Sequence, residues 1–426
     1  MRAMKDSGIP WIGEIPDGWT NVYLKHYFDF EKGKNAALYT QEYIGENEGI
    51  FPVYSGQTEN EGVMGRINTY DYDEPECLFT TTVGAKVMTP RVLQGKFSLS
   101  QNCLIMKSIK TTSVHFFYYG LSALFDYEKS LIPSHMQPSL RIEDLKKYKL
   151  FIPPLAEQQR IAKFLDRKCS EVDEMIALQE QIIEELKAYK QSVITEAVTK
   201  GLNPAAPMRD SGIEWIGSIP EHWEVKRLKN LATDKDSLII DGDWIESDVI
   251  ESDGIRYLTT GNIGDGVFKE QGQGYISEDT FKVLNCTMVY AGDLVFSRLN
   301  YPMGRSCIIP DKYTTCVVAV DNVVFRPNKD VVKKYLMYVS MCYGFQNENA
   351  LIARGATMQR MSRSQLVKAF VPTPTPTEQQ AIADYLDEKC ADIDSLIQTK
   401  QSKIDSLKEY KKSIIYEYVT GKREVE

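Results

Sequence analysis

The 426 residues lack most of the features that would announce a chemistry. The eight cysteines (Cys77, Cys103, Cys169, Cys286, Cys307, Cys316, Cys342 and Cys390) form no C-x-x-C pair, and the four histidines are scattered. The clustered ligands of a zinc site are therefore missing, and no metal is expected in the chain. The cysteines read as small buried hydrophobes in a reducing compartment. No stretch approaches the ~20 apolar residues of a membrane span. The first ten residues hold two basic groups and no apolar core, so no secretory signal is read and a cytoplasmic protein is expected. There is no excess of positive charge: 50 Lys and Arg stand against 59 Asp and Glu, a net −9. Taken whole, that balance argues against a nucleic-acid binder.

Catalytic motifs are absent too. There is no phosphate loop, no G-x-G-x-x-G after a strand and no G-x-S-x-G. The Asn/Asp-Pro-Pro-aromatic motif of an amino-methyltransferase has only Ile152-Pro153-Pro154-Leu155 as its nearest counterpart. The acidic run Asp71, Asp73, Glu74 and Glu76 reads as a surface turn rather than a magnesium site. No catalytic residue is assigned.

What the chain does have is a repeat. Residues 6–19 (DSGIPWIGEIPDGW) and 210–223 (DSGIEWIGSIPEHW) share ten of fourteen positions at an offset of 204. Residues 157–172 (EQQRIAKFLDRKCSEV) return as 378–393 (EQQAIADYLDEKCADI) at an offset of 221, and that register holds to Val198-Thr199 and Val419-Thr420. The interiors echo each other weakly: Cys77-Leu78-Phe79-Thr80 can be laid on Leu294-Val295-Phe296-Ser297, and Met136-Gln137 on Met358-Gln359. Matching frames around different interiors suggest two modules with one job and two targets.

Residues 157–199 contain neither Gly nor Pro, and apolar residues recur at helical spacing. At 1.5 Å per residue such a helix is about 65 Å long, which suits a coiled-coil seam better than a small core. Ile176, Ile183, Leu186 and Val193 would lie in the seam, with Ile397, Ile404, Leu407 and Ile414 in the second copy. Gln179 and Lys400 interrupt it, as register-setting or partner-facing residues do. Gly201 and Gly421 end the helices. The two helices can run antiparallel, or each can pack only on its own module. The expected layout is a module at 1–156, a long helix at 157–200, a second module at 201–376, and a second helix with a tail at 377–426.

Strand-like runs at 50–54, 77–82, 102–106, 288–290, 294–297 and 315–325 are separated by turn signals, with helical stretches near 113–128 and 329–343. The fold class is α+β: two similar mixed modules joined by two long helices in an antiparallel coiled coil, with a pseudo-twofold internal repeat.

Divided along these borders, the four segments carry −2, −2, −2 and −3, so none is basic. Finer stretches differ. No acidic residue lies between Glu76 and Asp126, whereas Lys86, Arg91, Lys96, Lys107 and Lys110 do. Residues 331–376 hold Lys333, Lys334, Arg354, Arg360, Arg363 and Lys368 against Glu348 alone. Lys and Arg hold phosphates, while Arg, Asn, Gln and Thr reach base edges. Candidate DNA-binding residues are Gln57, Thr58, Asn60, Thr81, Lys86, Arg91, Gln101 and Asn102 in the first module. In the second they are Thr259, Asn262, Arg298, Asn300, Arg305, Arg354, Gln359 and Arg360. The plainer reading of these stretches is a solvated basic face with ordinary turn chemistry.

Two W-I-G-x-I-P-x-x-W openings and two P-x-x-x-E-Q-Q-x-I-A-x-[FY]-L-D helix starts, at 153–166 and 374–387, carry a resemblance. Gly-Asp-Leu-Val-Phe-Ser-Arg at 292–298 and Gly-Ala-Thr-Met-Gln at 355–359 support it. In these, and in the order of the parts, the chain resembles the specificity subunit of type I restriction–modification enzymes. The resemblance implies two target recognition domains, each reading half of a split, asymmetric double-stranded DNA target. It implies a helical spacer that fixes the gap, two methyltransferase subunits docked on the helices, and restriction–translocase subunits outside them. S-adenosylmethionine, ATP and magnesium would belong to those partners and none to this chain. The competing expectation is a coiled-coil interaction scaffold that binds no DNA.

Overall fold

The computed structural model describes residues 2–57, 60–84, 86–133, 135–355 and 358–425. They form two compact units, residues 1–180 with 401–426 and residues 181–400. The division falls inside both long helices, Leu155–Lys200 and Pro376–Val419, rather than at the module borders expected from the repeats. The second helix starts on Pro376 itself, where a fixed φ suits the first helical position and the missing N–H has no partner to lose. Gly201 and Gly421 follow the helix ends with φ of +73° and +70°, the left-handed cap conformation that costs glycine no Cβ clash.

In the first unit the W-I-G segment makes a small hairpin, Met4–Asp6 against Glu14–Pro16. Gly13 turns it at φ +69°, and its carbonyl accepts from Ser7 N at 2.9 Å. The strand after it, Thr20–Tyr23, pairs with Lys149–Ile152, the strand that leads into the first long helix. The body is a six-stranded sheet in the order Phe28–Lys32, Cys103–Ser108, Tyr72–Thr81, Arg91–Leu99, Glu48–Tyr54, Val63–Ile67. Alternation along the strands splits its side chains between two cores. Leu78, Leu104 and Met106 pack under the helix Val114–Ser130 with Phe116, Phe117 and Phe125, while Cys77, Phe79 and Ile105 face the other way.

The second unit repeats the hairpin (Met208–Asp210 with Ser218–Pro220) and the strand pair (Glu224–Arg227 with Phe370–Thr373). Its body differs, being two four-stranded sheets. One has the order Leu238–Asp241, Asn322–Arg326, Leu294–Ser297, Ser306–Ile308; the other Gly274–Ile276, Ile255–Leu258, Thr315–Val318, Val289–Tyr290. The single run expected at 315–325 is thus two strands in two sheets. Asn322 N bonds back to Ala319 O at 2.9 Å and turns the chain between them. The helical stretch near 329–343 breaks likewise, into Lys333–Ser340 and Tyr343–Ile352, because Cys342 is extended (φ −67°, ψ 129°).

The structure also corrects how the two interiors correspond. Leu78 lies opposite Met106, and Leu294 opposite Phe325; both pairs belong to the core under the helices. Thr82 N bonds to Asn102 O and Leu140 N to Thr82 O. In the second unit Arg298 N bonds to Asp321 O and Met361 N to Arg298 O. Leu78 therefore matches Leu294, and Thr82 matches Arg298. Laying Cys77 on Leu294 is one residue out of step, which in a strand exchanges the two faces.

In each unit one buried tryptophan joins the module to both long helices. Trp19, 1% exposed, donates from Nε1 to Glu157 at the start of the first helix (3.4 Å), and Gly421 at the end of the second sits against Pro16 and Trp19. Trp223, also 1% exposed, donates to Glu378 at the start of the second helix (3.1 Å), and Gly201 at the end of the first sits against Pro220 and Trp223. A Cβ on Gly421 would fall 2.4 Å from Pro16 Cδ. The next glutamine is buried in both units. Gln158 donates to Pro153 O and accepts from Thr112, and Gln379 donates to Pro374 O and accepts from Val332 N. Trp223→Ala is expected to cost about 3–5 kcal/mol in chemical denaturation of the full chain. Trp244→Ala, at a site 68% exposed, should stay within about 0.5 kcal/mol.

Candidate nucleic-acid interface

The polar candidates of the first unit gather on one rim of the six-stranded sheet. Ser55 N bonds to Gly62 O and Ser100 N to Tyr54 O, which brings Ser55 and Gly62 beside the turn at 100–102. Asn60, in a left-handed conformation (φ +46°), is exposed, as are Gln101, Asn102 (φ +62°) and Lys86. Gln57 donates to Val63 O at 2.6 Å. Arg91 folds onto the carbonyl of Glu61 and lies 3.5 Å from its carboxylate. Thr81 is 2% exposed, inside the sheet, and offers no surface to a ligand. Thr58 lies outside the described residues. Lys107 of this stretch is spent internally, bridging Glu31 (2.9 Å) and Glu74 (2.7 Å). The acidic run is spent as well, with Asp71 accepting from Asn35 and Tyr39 and Glu76 facing His115.

In the second unit three candidates prove to be scaffold. Asn262 is 1% exposed; its amide donates to Lys269 O and Gln271 O and accepts from Thr259 N. Arg298 is 5% exposed. It donates to Met361 O (2.8 Å) and Val320 O (2.6 Å) and pairs with Asp241 at 3.0 Å. Burial pulls its pKa down against the opposing pull of Asp241. Arg305 spends its guanidinium on the carbonyls of Ile263, Leu299, Asn300 and Thr260. Each holds loops together and has no free donor array for a base.

The remaining candidates lie on the loops those three residues support. Thr259 is exposed above Asn262. Asn300 (φ +58°) is exposed, and its N–H donates to Gln359 O at 2.8 Å. Arg354 and Arg360 exchange backbone hydrogen bonds of 2.9 and 2.8 Å, with Gln359 exposed between them. Arg298, Arg354, Arg360 and Arg363 then wall an open concavity of about 890 Å³ with Asp241 among its lining residues. Arg363, 3.6 Å from Asp241, was part of the basic stretch in the sequence but not a candidate. Asp241 and Asp321 gave no local signal, because they reach the arginines only through strand pairing and a turn.

Both units also bind the long helices by matched polar contacts. In the first, Lys411 pairs with Asp173 at 2.6 Å; in the second, Lys190 pairs with Asp394 at 2.7 Å. Asp173 and Asp394 are equivalent in the 221-residue repeat, as are Lys190 and Lys411. Asp166 accepts from Tyr119 and lies 2.9 Å from His115, while Asp387 accepts from Tyr338 and Lys334. Of the seam residues, Ile183, Ile404 and Ile414 are buried, and Ile176, Leu186, Val193, Ile397 and Leu407 half-buried. Gln179 is buried too, its Oε1 without a hydrogen-bond partner among the described residues.

All eight cysteines are buried and unpaired, and burial pushes the Cys77, Cys307 and Cys316 thiols up to about 12. Among the described residues no group of His, Cys, Asp and Glu is placed to hold a metal, and no helix is long and apolar enough to cross a membrane.

The sequence profile described as the type I restriction modification DNA specificity domain matches this chain twice, at residues 16–188 and 220–419. The specificity subunit of the type I restriction enzyme MjaVIII of Methanocaldococcus jannaschii is 24% identical over 420 residues, covering 96% of this chain and 93% of that one. The putative MjaX specificity subunit of the same organism is 28% identical over 436 residues, with coverages of 96% and 95%. A putative type I specificity subunit of Mycoplasma pneumoniae, S.MpnORF507P, is 36% identical over 143 residues, 33% of this chain and 38% of its own. Among solved structures, a chain from work on the assembly and conformational transition of a type I R-M system superposes with a TM-score of 0.70 at 16% identity, covering 96% of this chain and 99% of that one. The HsdS subunit of Thermoanaerobacter tengcongensis gives 0.50 at 15%, covering 96% and 98%. At such identities the likeness is one of fold.

Two outcomes follow from the geometry. Arg298→Ala takes the donor away from the carbonyls of Met361 and Val320 and should lower unfolding stability by about 1–3 kcal/mol, read as a fall in the thermal midpoint. Glu378 behaves differently: burial raises its pKa, but hydrogen bonds from Thr375, His222 and Trp223 outweigh burial and bring it from 4.5 to about 2. A depressed carboxylate stabilises above its unfolded pKa and loses that contribution as pH falls through the folded one. The gap in thermal midpoint between the native chain and Glu378→Gln should be widest near neutrality and close between pH 4.5 and about 2.

Proposed function

The chain belongs to the type I restriction–modification DNA specificity family, and we propose that it reads a bipartite, asymmetric DNA target with one half-site per unit. Specificity subunits are the non-catalytic members of such systems. DNA methylation and cleavage then fall to methyltransferase and restriction subunits, which bring S-adenosylmethionine, ATP and magnesium.

One observation carries the reading: the frame of the two units is the same while the rim is not. The tryptophan–glutamate junction, the buried glutamine and the Asp–Lys pairs recur residue for residue. On the rim, Thr82 of one unit answers to Arg298 of the other, and Asn102 to Asp321. A shared frame with unlike rims suits two readers of different sequences. A scaffold for proteins would not need the exposed amides of Asn60, Gln101, Asn102, Asn300 and Gln359, the side-chain type that pairs with adenine edges.

The long helices act as spacer and as docking surface for two methyltransferase subunits. The half-buried seam and the Asp–Lys pairs support their pairing as an antiparallel coiled coil. Half-sites gripped on one face of the duplex lie about 34 Å apart or a multiple of it. Seven residues inserted at equivalent points of both helices add about 10 Å of length. Such a chain, expressed with its methyltransferase partner, is expected to methylate the same two half-sites across a longer gap. Methylome mapping that returned an unchanged gap would refute the spacer role. Random methylation by the native complex would refute sequence reading altogether.

A further inference from the structure

The arginine concavity of the second unit has a charge imbalance that the protein does not resolve. Four guanidiniums, of Arg298, Arg354, Arg360 and Arg363, meet two carboxylates. Asp241 serves Arg298 at 3.0 Å and Arg363 at 3.6 Å, and Asp321 takes Arg360 at 2.5 Å. Arg354 has no side-chain hydrogen bond or ion pair among the described residues. Arg298 is 95% buried beneath them, and its Nε has no hydrogen-bond partner there. Two positive charges thus remain over in a chain whose net charge is −9. Like charges held this close are favoured when an anion fills the space between them, and the guanidinium fork matches phosphate oxygens two at a time.

The equivalent place in the first unit is built differently. There the lining is Lys32, Thr82, Val83 and residues 139–143, and the volume is about 420 Å³. Thr82 stands where the second unit has Arg298, and Lys32, last in its strand, where it has Asp241. Arg141 is offset there by Glu143, which leaves one charge in excess.

We infer that the second unit grips the DNA backbone through Arg354, Arg360 and Arg363, and that the first unit has no counterpart to this grip. Arg298 is a positioning residue that fixes Asp241 and Met361 from below. A phosphodiester fits better than a free phosphate because the concavity is open and flanked by the exposed amides of Asn300 and Gln359, so that backbone and base contacts adjoin. The inference rests on the DNA-reading function proposed above. It adds that the two half-sites are held unequally, with more of the salt-dependent affinity on the second.

The test is the slope of log Kobs against log salt for the full chain with its methyltransferase partner on a random-sequence duplex pool. Each phosphate that is no longer neutralised reduces the slope by about 0.9. Changing Arg354→Gln, Arg360→Gln and Arg363→Gln together should reduce it by about 2–3, and Lys32→Gln should leave it unchanged. Arg354→Gln alone should reduce it by about one, and because that side chain has no hydrogen bond or ion pair among the described residues, its replacement leaves the packing of the unit in place. An unchanged slope in both arginine variants overturns the inference while DNA binding itself stands. Equal reductions from Lys32→Gln and Arg354→Gln overturn the asymmetry. A native complex with no salt-dependent duplex binding overturns the DNA reading and the inference with it. Inorganic phosphate that raises the thermal midpoint of the native chain but not of the triple variant, with no change in slope, would make the concavity a free-anion site instead.

Discussion

A tryptophan held between the start of one long helix and the end of the other is the contact on which each unit depends. The indole fills the core with its rings and leaves one donor, Nε1, which has to be satisfied if it is buried. A glutamate in the first turn of a helix is the natural acceptor, because the helix dipole favours negative charge there. That choice fixes where the helix starts relative to the module. The end of the other helix must then approach the same rings closely, and glycine permits it: at Gly201 a Cβ would lie 3.0 Å from the Trp223 ring. The W-I-G-x-I-P-x-x-W and P-x-x-x-E-Q-Q motifs are therefore two halves of one joint, and neither makes sense alone.

The joint explains why the two offsets in the repeat differ. The hairpin and tryptophan recur after 204 residues and the helices after 221. The extra length must fall in the body between them, and that is where a six-stranded sheet in one unit gives way to two four-stranded sheets in the other. The frame is constrained at both ends by Trp–Glu and Gln–carbonyl hydrogen bonds. The body only has to return the chain to the strand before the helix, so its sheets can change while the joint does not.

Much of the frame was legible because helices announce themselves locally. Both long helices followed from apolar spacing and the absence of Gly and Pro, and their ends from Gly201 and Gly421. Strands were less legible. The run at 315–325 hid a turn, since nothing in Ala319-Val320-Asp321 carries a strong breaker. The one-residue error in matching Cys77 to Leu294 arose because both faces of that strand are apolar, so the sequence had no alternation to set the register. Burial was the hardest to read. Arg298, Arg305 and Asn262 have the side chains of DNA readers, yet each spends donors on backbone carbonyls of the surrounding loops. Residues that carry many donors are useful for recognition and equally for pinning irregular loops, and composition cannot tell which.

That ambiguity also bears on charge. A net of −9 looked hostile to DNA, and the basic stretches within it looked favourable. The structure divides those stretches again. Lys107 and Lys333 pair with Glu31, Glu74 and Asp293 within the modules, and Lys334 with Asp387 on the second long helix, so each adds little to a field outside. Arg354, Arg360 and Arg363 stand at the open concavity instead. A few positive charges concentrated at one place attract a polyanion more effectively than many spread over a balanced surface, because screening limits each to about a Debye length, roughly 8 Å at physiological salt. The acidic sum then works in favour of selectivity. On the proposed DNA-reading function, it would weaken indiscriminate attachment over the rest of the surface and leave affinity to depend on the few places where rim and duplex correspond.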